Sequence, residues 1–153
     1  MAVQHVDVRE AHRLVGAEAY TYVDVRSIPE YEQGHPAGAQ NVPLLHCDAQ
    51  TRQMTPNPEF LAVMEANYAH DARLLVGCQV GGRSVQAAQI LVSRGYQHVA
   101  NVRGGFGGAC DPVSGEMVDE GWHMAALPEE AGAQPGSSYE DLRKKTHVSV
   151  VWE

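Results

Sequence analysis

Basic side chains are scarce in this sequence, and the scarcity limits the partners that the protein can bind. Its 153 residues include 11 Lys and Arg against 19 Asp and Glu, so the formal net charge at pH 7 is −8. Nucleic-acid binders need a basic stripe, and anionic membranes attract basic surfaces, so we expect neither partner. A site for an anionic substrate must therefore create its own positive field against an acidic background.

Cysteine is also scarce, with three residues at positions 47, 78 and 110 and no Cys-x-x-Cys pair. An odd number without paired spacing indicates neither a disulfide framework nor a zinc finger, so we expect a reducing, cytoplasmic location. The eight histidines show no metal-binding spacing, and we expect no metal site. The N-terminus has neither a long apolar stretch nor a basic lead-in, so we predict no signal peptide and no membrane span.

The rest of the composition is ordinary for a globular protein, and strand and helix patterns alternate along what we predict to be one core domain. We predict strands at residues 3–6, 20–25, 40–44, 73–77 and 98–102. We predict helices at about residues 7–14, 27–34, 57–68 and 84–95. Such alternation indicates βαβ units and a mostly parallel sheet. After Gly108 the pattern weakens, and we predict a terminal helix at residues 138–145, followed by a candidate edge strand or dimer contact at residues 146–152.

One cysteine stands where the chain changes from strand to helix. The stretch VGCQVGGRSV places Cys78 at the end of an apolar run, before Gly81, Gly82 and Arg83, and Ser84 begins the next helix. In open α/β sheets ligands bind at the carboxyl ends of the strands, and the start of a helix favours anions. The glycines allow successive N–H groups to turn inward, and the arginine adds a permanent positive charge.

These surroundings all favour a negative charge on the Cys78 sulfur. A free thiol has a pKa of about 8.5, and comparable settings lower that pKa to roughly 3.5–7.5. We therefore expect Cys78 to be solvent-accessible and largely thiolate at neutral pH. The other thiols lack such a setting, because Cys47 is followed by an acid, Asp48, and Cys110 lies in a predicted loop. Cys110 would resolve a persulfide or disulfide only if it approached Cys78.

Three segments of the sequence resemble one known family. The loop CQVGGRS is similar to the active-site loop of rhodanese-like sulfurtransferases. The segment YVDVRSIPEYEQGHPAGAQNVP, residues 22–43, resembles the first signature of that family, which has Asp-x-Arg after a strand, then Glu-Tyr, Gly-His, Gly-Ala and Asn-x-Pro. The segment GYQHVANVRGGFGG resembles its closing segment. On this basis residues 1–127 form the predicted rhodanese-like domain, and residues 128–153 form a C-terminal extension.

The resemblance implies a fold, a reaction and a set of site residues. The implied fold is a three-layer α/β domain with a five-stranded parallel sheet and helices on both faces. In the implied reaction, Cys78 takes sulfur from thiosulfate or a thiol persulfide, holds it as a persulfide and passes it to cyanide, a thiol or a protein acceptor, with no metal or organic cofactor. Such double displacement predicts ping-pong kinetics. The residues that would hold the substrate are Gln79, Val80, Gly81, Gly82 and Arg83.

Two features of the loop limit the substrates that we expect it to accept. Four residues separate Cys78 from Arg83, whereas the related phosphatases and arsenate reductases have five, so we expect too little room for a tetrahedral phosphate. Some thiosulfate-specific family members carry cations early in the loop, where this sequence has Gln79 and Val80. Thiosulfate is therefore expected to be a poor donor compared with a thiol persulfide or a protein persulfide.

Supporting residues and alternatives complete the prediction. Asp24 and Arg26 end the second predicted strand, and we expect them to form a buried network with Glu30 or Glu32 that braces the loops. Ser84 is expected to support the cysteine from the helix start. The main alternative to a stand-alone enzyme is a persulfide carrier that acts with a protein partner, with the apolar tail at residues 147–152 as its candidate contact surface. A cysteine phosphatase or arsenate reductase is a weaker alternative because of the loop length.

Overall fold

The computed structural model describes the backbone of residues 3–80 and 82–151 and the side chains of these residues through Thr146. Its helices are α1 (Val8–Ala17), α2 (Ile28–Gln33), α3 (Phe60–Asn67), α4 (Gly82–Ser93) and α5 (Tyr139–Val151). Its first six strands are β1 (Gln4–Val6), β2 (Thr21–Asp24), β3 (His35–Pro36), β4 (Gln40–Asn41), β5 (Leu45–Cys47) and β6 (Met54–Pro56). The remaining strands are β7 (Arg73–Gly77), β8 (His98–Val102), β9 (Ala109–Cys110), β10 (Met117–Asp119) and β11 (Glu129–Glu130).

Five strands form one parallel sheet in the order β1-β8-β7-β2-β4. The register places Asp24, at the end of β2, opposite both Gly77 of β7 and Asn41 of β4. The carboxyl ends of these three strands therefore lie side by side, and Cys78 follows the central one. The predicted five-stranded parallel sheet is confirmed.

Successive side chains along a strand point to opposite faces of the sheet and pack into two separate hydrophobic cores, one on each face. On β7, Leu74 and Val76 pack with buried side chains of α3, α4 and α5. Leu75 points to the other face and packs with Val8 and Ala11 of α1. The central strand β7 thus buries both of its faces, as expected of a parallel sheet between two helical layers. The predicted helices on both faces are confirmed.

Local capping sets where the early helices begin. The Asp7 side chain accepts a hydrogen bond from the Glu10 N–H at 2.8 Å and starts α1. Ser27 and Glu30 form a capping box that starts α2. Helix α4 begins at Gly82, two residues before the predicted start at Ser84, because the chain turns from the cysteine loop directly into the helix.

The C-terminal extension departs from the prediction. The tail predicted as an edge strand at residues 146–152 continues α5 as helix to Val151, and Trp152 lies outside the described residues. The helix starts where the Asp141 N–H bonds to Ser138 Oγ, and Asn67 Nδ2 of α3 donates to the Leu142 carbonyl. Once a helix is nucleated and docked in this way, extending it by a residue costs little, so the weak strand preference of the tail is overridden.

Three short antiparallel pairs were not anticipated: β5 with β6, β9 with β10, and β11 with β3. The β11–β3 pair attaches the extension to the main domain, with Glu130 opposite the buried His35. Gly38 N–H also donates to Glu130 Oε1 at 2.9 Å. In the part of the chain described here, no helix is long and apolar enough to cross a membrane.

Close packing beside the cysteine makes Gly77 sensitive to substitution. A Cβ atom at Gly77 would collide with the ring and hydroxyl of the buried Tyr22. We predict that Gly77→Ala lowers the free energy of unfolding by about 1–3 kcal/mol, as overpacked cores do. Gly16→Ala in α1 is the matched control, because its Cβ meets no atom within 4 Å, and we expect a gain of about 0.5–1 kcal/mol. Urea unfolding of both variants measures the two values, and equal effects would contradict this packing.

Candidate active site

The Cys78 thiol lies immediately after β7 and faces the first turn of α4. The Ser84 N–H donates to Cys78 Sγ at 3.4 Å, and Sγ lies 3.3 Å from Ser84 Oγ. This places the sulfur at the positive end of the twelve-residue helix α4, as predicted. The structure therefore places Ser84 beside the cysteine in the first turn of the helix, at the position expected from the sequence.

The expectation that Cys78 is solvent-accessible is wrong, because the residue is only 1% exposed. Its side chain packs in the core beside α4, and a distant segment covers its backbone: the N–H groups of Phe106 and Gly107 donate to the carbonyls of Cys78 and Gln79 at 2.8 and 2.9 Å. A Cβ at Gly105 would collide with the Cys78 carbonyl, so the two loops are in direct contact. The closing segment therefore packs onto the cysteine loop rather than leaving it open to solvent.

A line of hydrogen bonds extends from the thiol to the sheet surface. Ser84 Oγ donates to Asn101 Oδ1 at 2.5 Å, and Asn101 Nδ2 donates to Nδ1 of the exposed His5 at 3.2 Å. Asn101 is buried on β8, next to β7. The sequence analysis missed it, although an asparagine inside the apolar strand HVANV is a detectable signal, since a buried amide needs partners.

Asp24 and Arg26 form the buried pair that the sequence predicts. Their side chains are 2.7 Å apart and only 2% and 3% exposed. Arg26 also donates to the Gly34 carbonyl at 2.6 Å and to Gln79 Oε1 at 3.1 Å. Burial lowers the pKa of Arg26, but the hydrogen bond and charge of Asp24 outweigh it and raise that pKa. The pair therefore braces the start of the cysteine loop through Gln79.

The sequence predicts that Glu30 or Glu32 joins the network of Asp24 and Arg26, but the structure gives Glu30 a different partner. Glu30 forms a two-pronged ion pair with Arg83, at 2.7 and 3.0 Å, rather than hydrogen bonding to Arg26. Burial raises the pKa of Glu30, but hydrogen bonds from Arg83 and Ser27 outweigh it and lower that pKa to about 2. Arg83 therefore stands beside the loop as predicted, with its charge already partnered.

A cavity of about 350 Å³ adjoins the loop on its outer side. Its lining comprises Arg26, Glu30, Gln33, Gly34, Gln79 and Phe106. The Arg26 guanidinium lies 4.6 Å from the centre of the Phe106 ring, a cation–π distance. Val80, next to Gln79, is 56% exposed. The sequence analysis missed Phe106 and Gln33, because only the folded chain brings them to the loop.

The remaining predicted site residues and thiols lie as follows. Gly82 begins α4, and Gly81 lies outside the described residues. Cys47 is half-buried on β5 and Cys110 is exposed on β9, and no disulfide joins any of the three cysteines, all of which lie among the described residues. Among the described side chains, no group of three or more His, Cys, Asp or Glu could hold a metal ion.

The burial of Cys78 predicts its order of reaction with bulky thiol reagents. We expect a large uncharged maleimide to modify Cys110 first and Cys78 last in the folded protein, with at least a roughly ten-fold difference in rate, because modification requires access. Peptide mapping after timed labelling measures the three rates. In concentrated urea the rates should converge, and equal rates for Cys78 and Cys110 in the folded protein would contradict the burial.

The Glu30–Arg83 pair predicts a specific loss of stability in acid. The pKa of Glu30 is about 2 in the folded protein against 4.5 for the free group, so the pair stabilises the fold above about pH 4.5 and loses that contribution as pH falls towards 2. We expect the difference in free energy of unfolding between the native protein and Glu30→Gln to shrink over this range. Urea unfolding at several pH values measures it, with the exposed Glu32→Gln as control. A pH-independent difference would exclude the pair as its source.

Comparison with known proteins identifies the family. The rhodanese-like domain description matches residues 7–110. Thiosulfate sulfurtransferase 16, chloroplastic, from Arabidopsis thaliana is 39% identical over 101 residues, which are 66% of this chain and 82% of that protein. Thiosulfate sulfurtransferase 18 from the same plant is 40% identical over 108 residues, 68% of this chain and 76% of that protein.

Other similar proteins extend the comparison. Protein HIGH ARSENIC CONTENT 1, mitochondrial, from Arabidopsis thaliana is 35% identical over 104 residues, 68% of this chain, and the chain spans 60% of its length. The crystal structure of Rv0390 from M. tuberculosis superposes with a TM-score of 0.67 at 25% identity, covering 86% of this chain and 98% of that one. The chain therefore belongs to the rhodanese-like family, whose sulfurtransferase members it resembles.

Proposed function

We propose that this protein is a sulfurtransferase that carries sulfane sulfur as a persulfide on Cys78. The observation that carries the proposal is the position of Cys78 Sγ, 3.4 Å from the Ser84 N–H at the start of α4. An N–H donor and a helix N-terminus favour a thiolate or a persulfide anion over neutral sulfur.

In the first half of the proposed reaction, the Cys78 thiolate attacks the outer sulfur of the donor. A new sulfur–sulfur bond forms, and the bond inside the donor breaks, so the donor leaves with the electron pair as a thiolate or as sulfite. The terminal sulfur of the Cys78 persulfide then takes the negative charge, near the N–H groups that begin α4. The substrate-holding role that the family resemblance implies for residues 79–83 is consistent with this step, although Gly81 lies outside the described residues.

In the second half, a nucleophilic acceptor such as a thiol or cyanide attacks the terminal sulfur. The Cys78 thiolate leaves and is stabilised again by the Ser84 N–H. Because the two substrates react in turn through a covalent intermediate, the kinetics should be ping-pong.

A persulfide carrier that serves a protein partner is the second candidate. The observation that favours it is the combination of a buried Cys78 with an exposed apolar Val80 on the same loop. A protein partner could contact Val80 while delivering or removing the sulfur. The carrier predicts the same persulfide on Cys78 but slow turnover with small acceptors, so turnover with and without a protein acceptor distinguishes the two.

The persulfide on Cys78 is the central testable prediction. After incubation with thiosulfate or with a thiol persulfide, the intact protein should gain the mass of one sulfur atom, and cyanide or a thiol should remove it. Cys78→Ser should show no such gain, and Cys110→Ser is the matched control that should retain it. Intact-mass spectrometry measures the adduct. If no donor gives a Cys78-dependent adduct, the proposed function is wrong.

A further inference from the structure

Two cationic side chains flank the cysteine loop, and each is matched by its own carboxylate. Arg26 pairs with Asp24 at 2.7 Å, and Arg83 pairs with Glu30 at 2.7 and 3.0 Å. The other side chains that line the adjoining cavity, those of Gln33, Gln79 and Phe106, carry no charge. The side chains described around the loop and cavity thus sum to zero net charge.

This balance matters because the candidate donors differ in charge and shape. Thiosulfate is a compact dianion, and it loses much hydration on entering a site that offers no net positive side-chain charge. A thiol persulfide carries one negative charge on its sulfur, which the N–H groups at the start of α4 can receive. Its organic part can also contact Phe106 in the cavity and the exposed Val80.

We propose that Glu30 is a specificity-determining residue, which neutralises Arg83 and thereby disfavours thiosulfate relative to thiol persulfides. The inference rests on the proposed function and names the donor class of the same site. It explains how a loop that contains an arginine can still discriminate against a dianion. The loop supplies a cation, and a carboxylate from α2 cancels it.

The structure favours Glu30 over Asp24 for this role. Asp24 is buried beneath the loop and accepts bonds from the backbone and side chain of Arg26, so it acts as part of the framework. Glu30 lines the cavity, and its side chain is 32% exposed, so a ligand there would meet its charge directly. Ser27 N–H and Oγ hold the carboxylate in place at 3.1 and 2.9 Å.

Glu30→Gln tests the proposal, because it removes the charge and keeps an oxygen that Ser27 can bond. The sulfur-transfer rate is measured with thiosulfate and, separately, with the persulfide of 2-mercaptoethanol, whose organic part carries no charge, as donor. We expect kcat/KM to rise about ten-fold for thiosulfate and only about three-fold for the persulfide, since the same opposing charge is removed close to a dianion in one case and to a monoanion in the other. Glu30→Asp, which keeps the charge, should retain the native preference.

Glu32→Gln is the matched control, because it makes the same change of net charge on the same helix at an exposed position. We expect it to leave the donor preference unchanged. If Glu32→Gln shifts the preference as much as Glu30→Gln does, the effect is one of overall charge and the proposal is overturned. Arg83→Met leaves the Glu30 charge uncompensated and should therefore shift the preference further away from thiosulfate, and an unchanged preference there would overturn the proposal too.

A binding measurement keeps this inference separate from the proposed function. In a Cys78→Ser background, which cannot form a persulfide, calorimetry should show thiosulfate binding about ten-fold more tightly when Glu30 is replaced by Gln. Equal affinities would overturn the role of Glu30 even if sulfur transfer occurs. Absence of transfer from every donor, with the affinity change present, would refute the proposed function and leave the charge discrimination standing.

Discussion

The parallel register of β2 against β7 is the constraint on which the site depends. It sets Asp24 beside Gly77, so the Asp24–Arg26 pair stands next to the cysteine loop. From there the Arg26 guanidinium reaches both the Gly34 carbonyl and Gln79 Oε1, and so connects α2, β2 and the loop after β7. A slip of this register would separate the loops, because each strand end carries one part of the site.

A buried ion pair of this kind organises the site more than it stabilises the fold. Removing two charges from water is costly, and the attraction between them repays the cost only when the remaining hydrogen-bonding groups are satisfied. Arg26 meets that condition, since its bonds to Asp24, Gly34 and Gln79 use several of its donors. Losing one partner would leave a buried charge, which typically costs about 3–5 kcal/mol. The arrangement therefore penalises any conformation in which the loop moves away from Arg26.

The sequence predicted those structural features that depend on residues close together along the chain. The starts of α1 and α2 followed from Asp7 and Ser27, because capping involves residues three positions apart. The sheet and the place of Cys78 followed from alternating patterns and from the family resemblance. The partner of Arg83 was not predicted, because Glu30 lies 53 positions away and the choice between Arg26 and Arg83 depends on tertiary geometry.

The predictions for the exposure of Cys78 and for the structure of the C-terminal tail were wrong for the same physical reason. Cys78 was expected at the surface, yet the Gly105–Gly107 stretch packs on its carbonyl side, and no pattern near the cysteine reports that contact. The tail after Lys145 was expected to form an edge strand or a dimer contact, yet it continues α5, which is docked on α3 through Asn67 and Leu142. In both places tertiary packing overrides the local signal, as it commonly does where intrinsic preferences are weak.

The electrostatics of the site differ from what the loop alone suggests. A cysteine loop with an arginine in an acidic protein would be expected to use that arginine as its source of positive field. Instead, Glu30 takes up the Arg83 charge and Asp24 takes up that of Arg26. What remains for an anionic sulfur is the backbone, in the N–H groups where α4 begins. Backbone donors act over a short range and suit a single charged atom, whereas a free guanidinium would attract any anion. Under the proposed function, a site built in this way would recognise the terminal sulfur itself more than the total charge of the molecule that carries it.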